Sequence, residues 1–159
     1  MLNENLHISD KGLQLLMHYE GCKLEAYLCP AKIPTIGYGN TFYADGKPVK
    51  LGDKITKQQA DELLPAIVQK FAISVANAIK TSVSQHQFDA MVSLAYNIGI
   101  GNFIKSTLLG LVNKKASDIQ VANEFMKWNK SNGKILEGLN KRRKSEAELY
   151  KTGNVVYFN

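Results

Sequence analysis

The sequence predicts an α+β protein, mainly helical, with a small antiparallel β-lobe of two or three strands near its amino end. Two observations predict it. Three capping boxes follow one another from residue 56 onward, each opening a segment with helical spacing of apolar residues. Between Cys22 and about Lys50 the chain is instead punctuated by Pro30, Pro34, Gly37, Gly39 and the Asp45-Gly46 pair, the signature of short strands and turns. A chain of 159 residues, 45% hydrophobic and 21% charged, can bury its own core, and this composition excludes disordered and fibrous classes.

Taken in order, Ser9 and Asp10 can cap a first helix over 9–20, in which Leu13, Leu16 and Met17 follow helical spacing and Glu20 lies on the same face. Gly21 supplies a stop. A carboxylate at the carboxyl end of a helix opposes the macrodipole, so Glu20 is either a frayed, solvated side chain or one placed for a task. The β-lobe occupies about 21–55. Thr56 with Gln59 opens a helix over about 56–80, with Pro65 as a point where it can break. Ser84 with Gln87 opens a helix over 84–98 ended by Gly99, and a shorter one follows over 106–114. Ser117 with Gln120 opens a helix over 117–131, and the last runs over 138–151 to Gly153. Phe88, Met91, Val92, Ala95 and Tyr96 form a stripe that reads as core. There are no internal repeats, so 1–159 is expected to be a single domain.

Lys and Arg outnumber Asp and Glu by 20 to 14, giving a formal charge of +6 and a pI near 9.2. The expected partner is anionic: nucleic acid, a membrane surface or the acidic bacterial wall. Met1 to Asp10 contains neither a basic start nor an apolar run, so no secretory signal is read there. No window approaches the ~20 apolar residues of a membrane span, and the chain is expected to be made in the cytoplasm. Cys22 and Cys29 do not form a secreted disulfide framework, and no Cys/His set offers a four-ligand zinc site; no metal is expected. His7, His18 and His86 are scattered and read as solvated or packed rings. The basic run from Lys127 to Lys151, which includes Arg142 and Arg143, reads as a solvated helical face or as a surface attracted to anionic wall polymers or lipopolysaccharide.

The chemistry-bearing residues lie where the first helix meets the β-lobe. Glu20 is followed after eight residues by Cys29 and after five more by Thr35, with Gly37-Tyr38-Gly39 just beyond. Further pieces are Gln87-Phe88-Asp89-Ala90, Tyr96-Asn97-Ile98-Gly99, Ser106-Thr107-Leu108-Leu109, Trp128, and Gly138-Leu139 before Arg142-Arg143. In this order and spacing the chain resembles the phage-type lysozyme family, glycoside hydrolase family 24, in the subset with Cys at the position often held by Asp. The resemblance implies a lysozyme-like domain: a small β-lobe, a connecting helix over about 56–80, a helical lobe over about 81–159, and a cleft between the lobes. It also implies an endolysin that needs no cofactor and hydrolyses the β-1,4 bond between N-acetylmuramic acid and N-acetylglucosamine in bacterial peptidoglycan. Access to the wall would then depend on a separate holin-type pore. A monomer is expected, and a nucleic-acid partner is not.

Glycoside cleavage needs one group to protonate the leaving oxygen and a second to manage the nucleophile. The resemblance assigns the first task to Glu20, whose pKa would rise above its usual ~4.3 on an apolar face at a lobe junction. The second falls to Cys29 with Thr35. Cys29 would act as a thiolate base or nucleophile, or as a neutral thiol that helps to position water; an unperturbed thiol, with a pKa of ~8.5, is mostly protonated at neutral pH. Alignment to the family's cleft offers Thr41, Tyr96 and Ser106 as substrate contacts, with Asn97 as structural support. Cys22 is either a small buried apolar residue or a redox partner, the latter if a bend brings it within disulfide reach of Cys29. Two rival readings remain: a lytic transglycosylase in which Glu20 works alone, and a non-enzymatic basic module that binds wall, membrane or nucleic acid. The nucleic-acid version lacks a recognition helix or an aromatic platform.

Overall fold

Ser9 starts the first helix by accepting, on its carbonyl, the Leu13 N–H at 3.0 Å, while the Gly12 N–H approaches its hydroxyl at 3.4 Å. Helix α1 (Asp10–Glu20) follows, so Asp10 is its first residue and Ser9 its cap. Gly21 ends it in the left-handed conformation, φ 66°, with its N–H 3.3 Å from the Met17 carbonyl. This computed structural model describes residue 3 and residues 6–159. Of the amino-terminal stretch read for a secretory signal, residues 1, 2, 4 and 5 lie outside the described ones.

The expectation of a mainly helical α+β chain holds. Beyond α1 come strands β1 (Lys23–Leu28) and β2 (Pro34–Gly37), then helices α2 (Lys57–Ala78), α3 (Gln85–Ile98), α4 (Ile100–Lys105), α5 (Thr107–Asn113) and α6 (Asp118–Phe125). A 3-10 turn (Met126–Trp128), a minimal hairpin of β3 (Lys130–Ser131) and β4 (Lys134–Ile135), and α7 (Glu137–Thr152) complete it. All three capping boxes form. The Thr56 hydroxyl accepts the Gln59 N–H at 3.1 Å and Gln59 Oε1 accepts the Thr56 N–H at 2.8 Å; Ser84 with Gln87 and Ser117 with Gln120 repeat the exchange. Among the described residues no helix is long and apolar enough to cross a membrane.

Three expectations are corrected. Pro65 does not break α2: Ala60, Leu64, Val68, Ala72 and Val75, all fully buried at helical spacing, hold it continuous across the missing N–H. The helix expected over 117–131 stops at Phe125, because Asn132-Gly133, both at positive φ, turns the following chain into the β3–β4 hairpin. The basic run is not one solvated face, since Arg142 and Arg143 are buried. Helix α4 was hidden in the sequence by Gly99 just before it and Gly101 inside it.

The chain divides into two compact units. The smaller, Leu16–Lys70, contains the antiparallel β1–β2 pair, with Lys23 opposite Gly37, Tyr27 opposite Thr35 and Leu28 opposite Pro34, and a bulge between Lys23 and Tyr27. Its core is Ile36, Val49 and Leu63, with Ala26, Tyr43, Ile55 and Ile67 packed around them. The larger unit comprises Met1–Leu15 and Phe71–Asn159. There the buried Asp89 accepts the Ser9 N–H at 3.0 Å, the Ser9 hydroxyl, and Gln85 Nε2 at 2.8 Å, tying the start of α1 to α3. Glu146, fully buried, receives the Arg142 and Arg143 guanidinium groups and the Ser93 hydroxyl, and Arg143 also donates to the Trp128 carbonyl at 3.2 Å.

Candidate active site

Glu20, Cys29 and Thr35 all belong to the smaller unit. Glu20 closes α1 and is half-buried. Its carboxylate lies so near the Gly37-Tyr38-Gly39 turn that a Cβ placed on Gly39 would sit 3.3 Å from Oε2. Gly39, at φ 89°, thus serves twice: it adopts a backbone conformation that side chains resist, and it leaves the carboxylate its space.

Cys29 begins the loop that joins β1 to β2. Its N–H donates to the Ile33 carbonyl at 3.1 Å, its carbonyl accepts the Lys32 N–H at 2.7 Å, and Lys32 takes φ 62°, a three-residue hairpin loop with a left-handed third residue. That loop turns backbone N–H groups toward the sulfur. The Cys29 thiol pKa is held below its ordinary value chiefly by the Ile33 N–H, helped by the Ala31 N–H and the Thr35 hydroxyl against a smaller desolvation effect. Thr35, buried, has its hydroxyl 2.8 Å from the Ile33 carbonyl as well. A hydroxyl has one proton to give, so Thr35 donates either to that carbonyl or to the sulfur.

Tyr27 joins these residues and escaped the sequence reading. It stands opposite Thr35 across the strand pair, so the two side chains share a face. Its phenol pKa is raised by burial first, then by the charges of Cys29 and Glu20, which places the hydroxyl in the field of both groups and keeps it protonated at neutral pH. The only available signal was strand alternation, which puts Tyr27 two positions before Cys29.

The turn that faces Glu20 is braced from outside. Tyr38, 3% exposed, donates from its hydroxyl to Asp61 Oδ1 at 2.5 Å and accepts from Lys57 Nζ at 2.7 Å, and Lys57 also pairs with Asp61. Asn40 closes the turn by exchanging two 2.9 Å backbone bonds with Ile36 and accepting the Tyr38 N–H on Oδ1 at 3.2 Å. Its Nδ2 is buried without a hydrogen-bond partner among the described residues.

The remaining candidates are placed differently. Thr41 accepts the Val49 N–H on its carbonyl at 3.0 Å, and its half-buried side chain makes no hydrogen bond among the described residues. In the larger unit, the Tyr96 ring packs edge-on against Phe71 with centroids 5.1 Å apart. Ser106 caps α5, accepting the Leu109 N–H at 3.1 Å and donating to the Phe103 carbonyl at 2.6 Å, so its proton is committed to the backbone. The redox alternative for Cys22 meets an obstacle: both cysteines are free, and β1 lies between them. The partner residues of Lys23 and Leu28, Gly37 and Pro34, are three residues apart, about 10 Å at ~3.3 Å per strand residue. Cys22 and Cys29 lie one residue further out at each end, beyond the ~7 Å Cα limit for a disulfide.

A carboxylate at a helix end beside a glycine turn, with a thiol and a hydroxyl on the neighbouring hairpin, is the arrangement that the fold presents here. The phage lysozyme family model matches residues 17–146, and the chain belongs to that family. It is 43% identical over 151 residues to an endolysin of Bacillus phage B103, covering 93% of this chain and 55% of the relative. It is 41% identical over 152 residues to an endolysin of Acyrthosiphon pisum secondary endosymbiont phage 1, covering 92% of this chain and 99% of the relative. Among solved structures, an endolysin from Escherichia coli O157:H7 phage FAHEc1 is similar with a TM-score of 0.86 and 42% identity, covering 98% of each chain. The chain therefore spans about half the length of the Bacillus phage relatives it matches, 55% and 56%, and nearly all of the other two.

Proposed function

We propose that this chain is an endolysin-type muramidase that hydrolyses the β-1,4 bond between N-acetylmuramic acid and N-acetylglucosamine in bacterial peptidoglycan. The observation that carries the reading is the position of Glu20 against the Gly39 backbone, in the same unit as a thiol whose surroundings favour its anion. Glu20 supplies a proton to the leaving glycosidic oxygen. Cys29 and Thr35 hold the attacking water, the sulfur as acceptor and the threonine hydroxyl as a donor that exchanges partners. Tyr27, protonated, is a further donor on the same strand face. Thr41 and Tyr96 are proposed to contact the glycan, and Ser106 to act through the cap that it makes. Membership of the phage lysozyme family and the endolysin relatives support the substrate class. Action as a monomer, after release to the wall through a separate holin-type pore, belongs to the same proposal.

Glu20→Gln keeps the shape of the side chain and removes the proton. Lysis of peptidoglycan is expected to fall by at least ~100-fold with the circular dichroism spectrum unchanged. Digestion products are expected to end in reducing sugars. Anhydro ends would assign the chain to the transglycosylases, and a Glu20→Gln variant lysing at the normal rate would remove Glu20 from the chemistry.

A further inference from the structure

Away from these residues, within the larger unit, a surface cavity of about 370 Å³ opens between the loop after α2, the loop before α6, and α7. Side-chain hydrogen bonds hold the surrounding segments in place. Asn113 clamps the end of α2, accepting the Lys80 N–H at 2.8 Å and donating to the Ala78 carbonyl at 3.2 Å, and Gln87 bridges to Asp118 at 3.1 Å. The cavity is thus built before any ligand arrives, and its volume falls at the lower end of the ~300–1,000 Å³ range of small-molecule sites.

One wall is Tyr150, 3% exposed, whose ring packs on Phe125 while its hydroxyl has no hydrogen-bond partner among the described residues. A phenol whose hydroxyl has no protein partner, on a residue that lines a cavity, can donate to a ligand there. Burial, with the Asp118 charge adding, pushes its pKa up to about 12, so it serves only as a donor or neutral acceptor at physiological pH. Lys115 and Asp118 line the same cavity, and neither is in an ion pair among the described residues. A simple anion would meet the Asp118 carboxylate, and a simple cation would meet Lys115. A short zwitterion satisfies both, with Val83 and Val112 offering a surface for a small apolar side chain.

We infer that this cavity binds an amino-acid-type zwitterion, its carboxylate held by Lys115 and the Tyr150 hydroxyl and its ammonium by Asp118. That chemistry has two sources, a free amino acid or the end of a short peptide such as those carried by cell-wall glycans. The inference does not depend on the lytic reading, because binding is measured without turnover.

The test is a titration of the ¹⁵N-labelled full chain with D-alanyl-D-alanine, followed by backbone amide shifts. Saturable shifts are expected at Ser82, Lys115 and Asp118, and about tenfold weaker binding is expected for the N-acetylated and the C-amidated dipeptides. Tyr150→Phe, which keeps the ring, and Lys115→Met, on an exposed loop, are each expected to weaken binding by roughly 3–10-fold with dispersed spectra. Tighter binding of the dipeptide than of D-alanine assigns the site to a peptide end, and the reverse assigns it to a free amino acid. No saturable shift with either zwitterion, equal binding of the blocked dipeptides or of neutral N-acetylglucosamine, or unchanged affinity in both variants overturns the inference.

Discussion

At the scale of single residues, Cys29 is where sequence and surroundings diverge most. The residue type alone predicts a thiol mostly protonated at neutral pH, but the hairpin loop aims the Ile33 and Ala31 N–H groups at the sulfur and lowers its pKa. Folding therefore favours the thiolate; the associated stability is full above the unfolded thiol's pKa and is lost as pH falls through the folded one. In a Cys22→Ser background, the rate of Cys29 alkylation by iodoacetamide should rise with pH at a lower midpoint than that of free N-acetylcysteine measured alongside; a midpoint at or above it would contradict the loop's influence. Cys29→Asp should keep lytic activity if the position handles water, and the loss in Cys29→Ser measures what the sulfur adds. The spacing of Glu20, Cys29 and Thr35 was legible because motif positions are linear in the chain. Tyr27 and Asn40 were not, because one enters through cross-strand register and the other through a turn that must fold before its side chain has a purpose.

At the scale of elements, the starts of the three helices opened by capping boxes were legible to the residue, because a capping box is a local hydrogen-bond exchange that depends on little else. Helix ends were less so: Pro65 reads as a possible break, yet a buried stripe carries α2 through it, and although Gly99 ends α3 as read, a short α4 resumes directly after it. The brace of Tyr38 against Lys57 and Asp61 joins the glycine turn to the first turn of α2. Tyr38→Phe removes the hydroxyl and keeps the buried ring, so it should destabilise the fold by about 1 kcal/mol in urea denaturation. Because the same turn backs Glu20, its kcat should fall more than its KM rises; a change confined to stability would make the brace purely architectural.

At the scale of the whole molecule, the net charge of +6 is not evenly available at the surface. Arg142 and Arg143 are turned inward onto Glu146, so the surface charge is carried instead by exposed lysines such as Lys134 and Lys144. Two buried guanidinium groups on one carboxylate are stable only as a set. Glu146→Gln should destabilise the protein by ~3–5 kcal/mol, read from chemical denaturation, since it strands both cations in a low-dielectric interior. Added salt should restore little of that loss, because screening acts on exposed charges, whereas adsorption to cell walls should weaken steeply with the same salt.

The sequence by itself determined the helical α+β class, the helix starts, the β-lobe and the order of the acid, thiol and hydroxyl, since each is encoded in residues a few positions apart. Only the tertiary structure decided that the Glu20 carboxylate abuts Gly39, that backbone N–H groups gather at the Cys29 sulfur, that two arginines of a basic run are core residues, and that Tyr150 is left with an unanswered hydroxyl in a cavity. Those outcomes depend on which distant groups share a small volume. Burial then sets the strength of each charge and hydrogen bond, and neither quantity exists until the chain has folded.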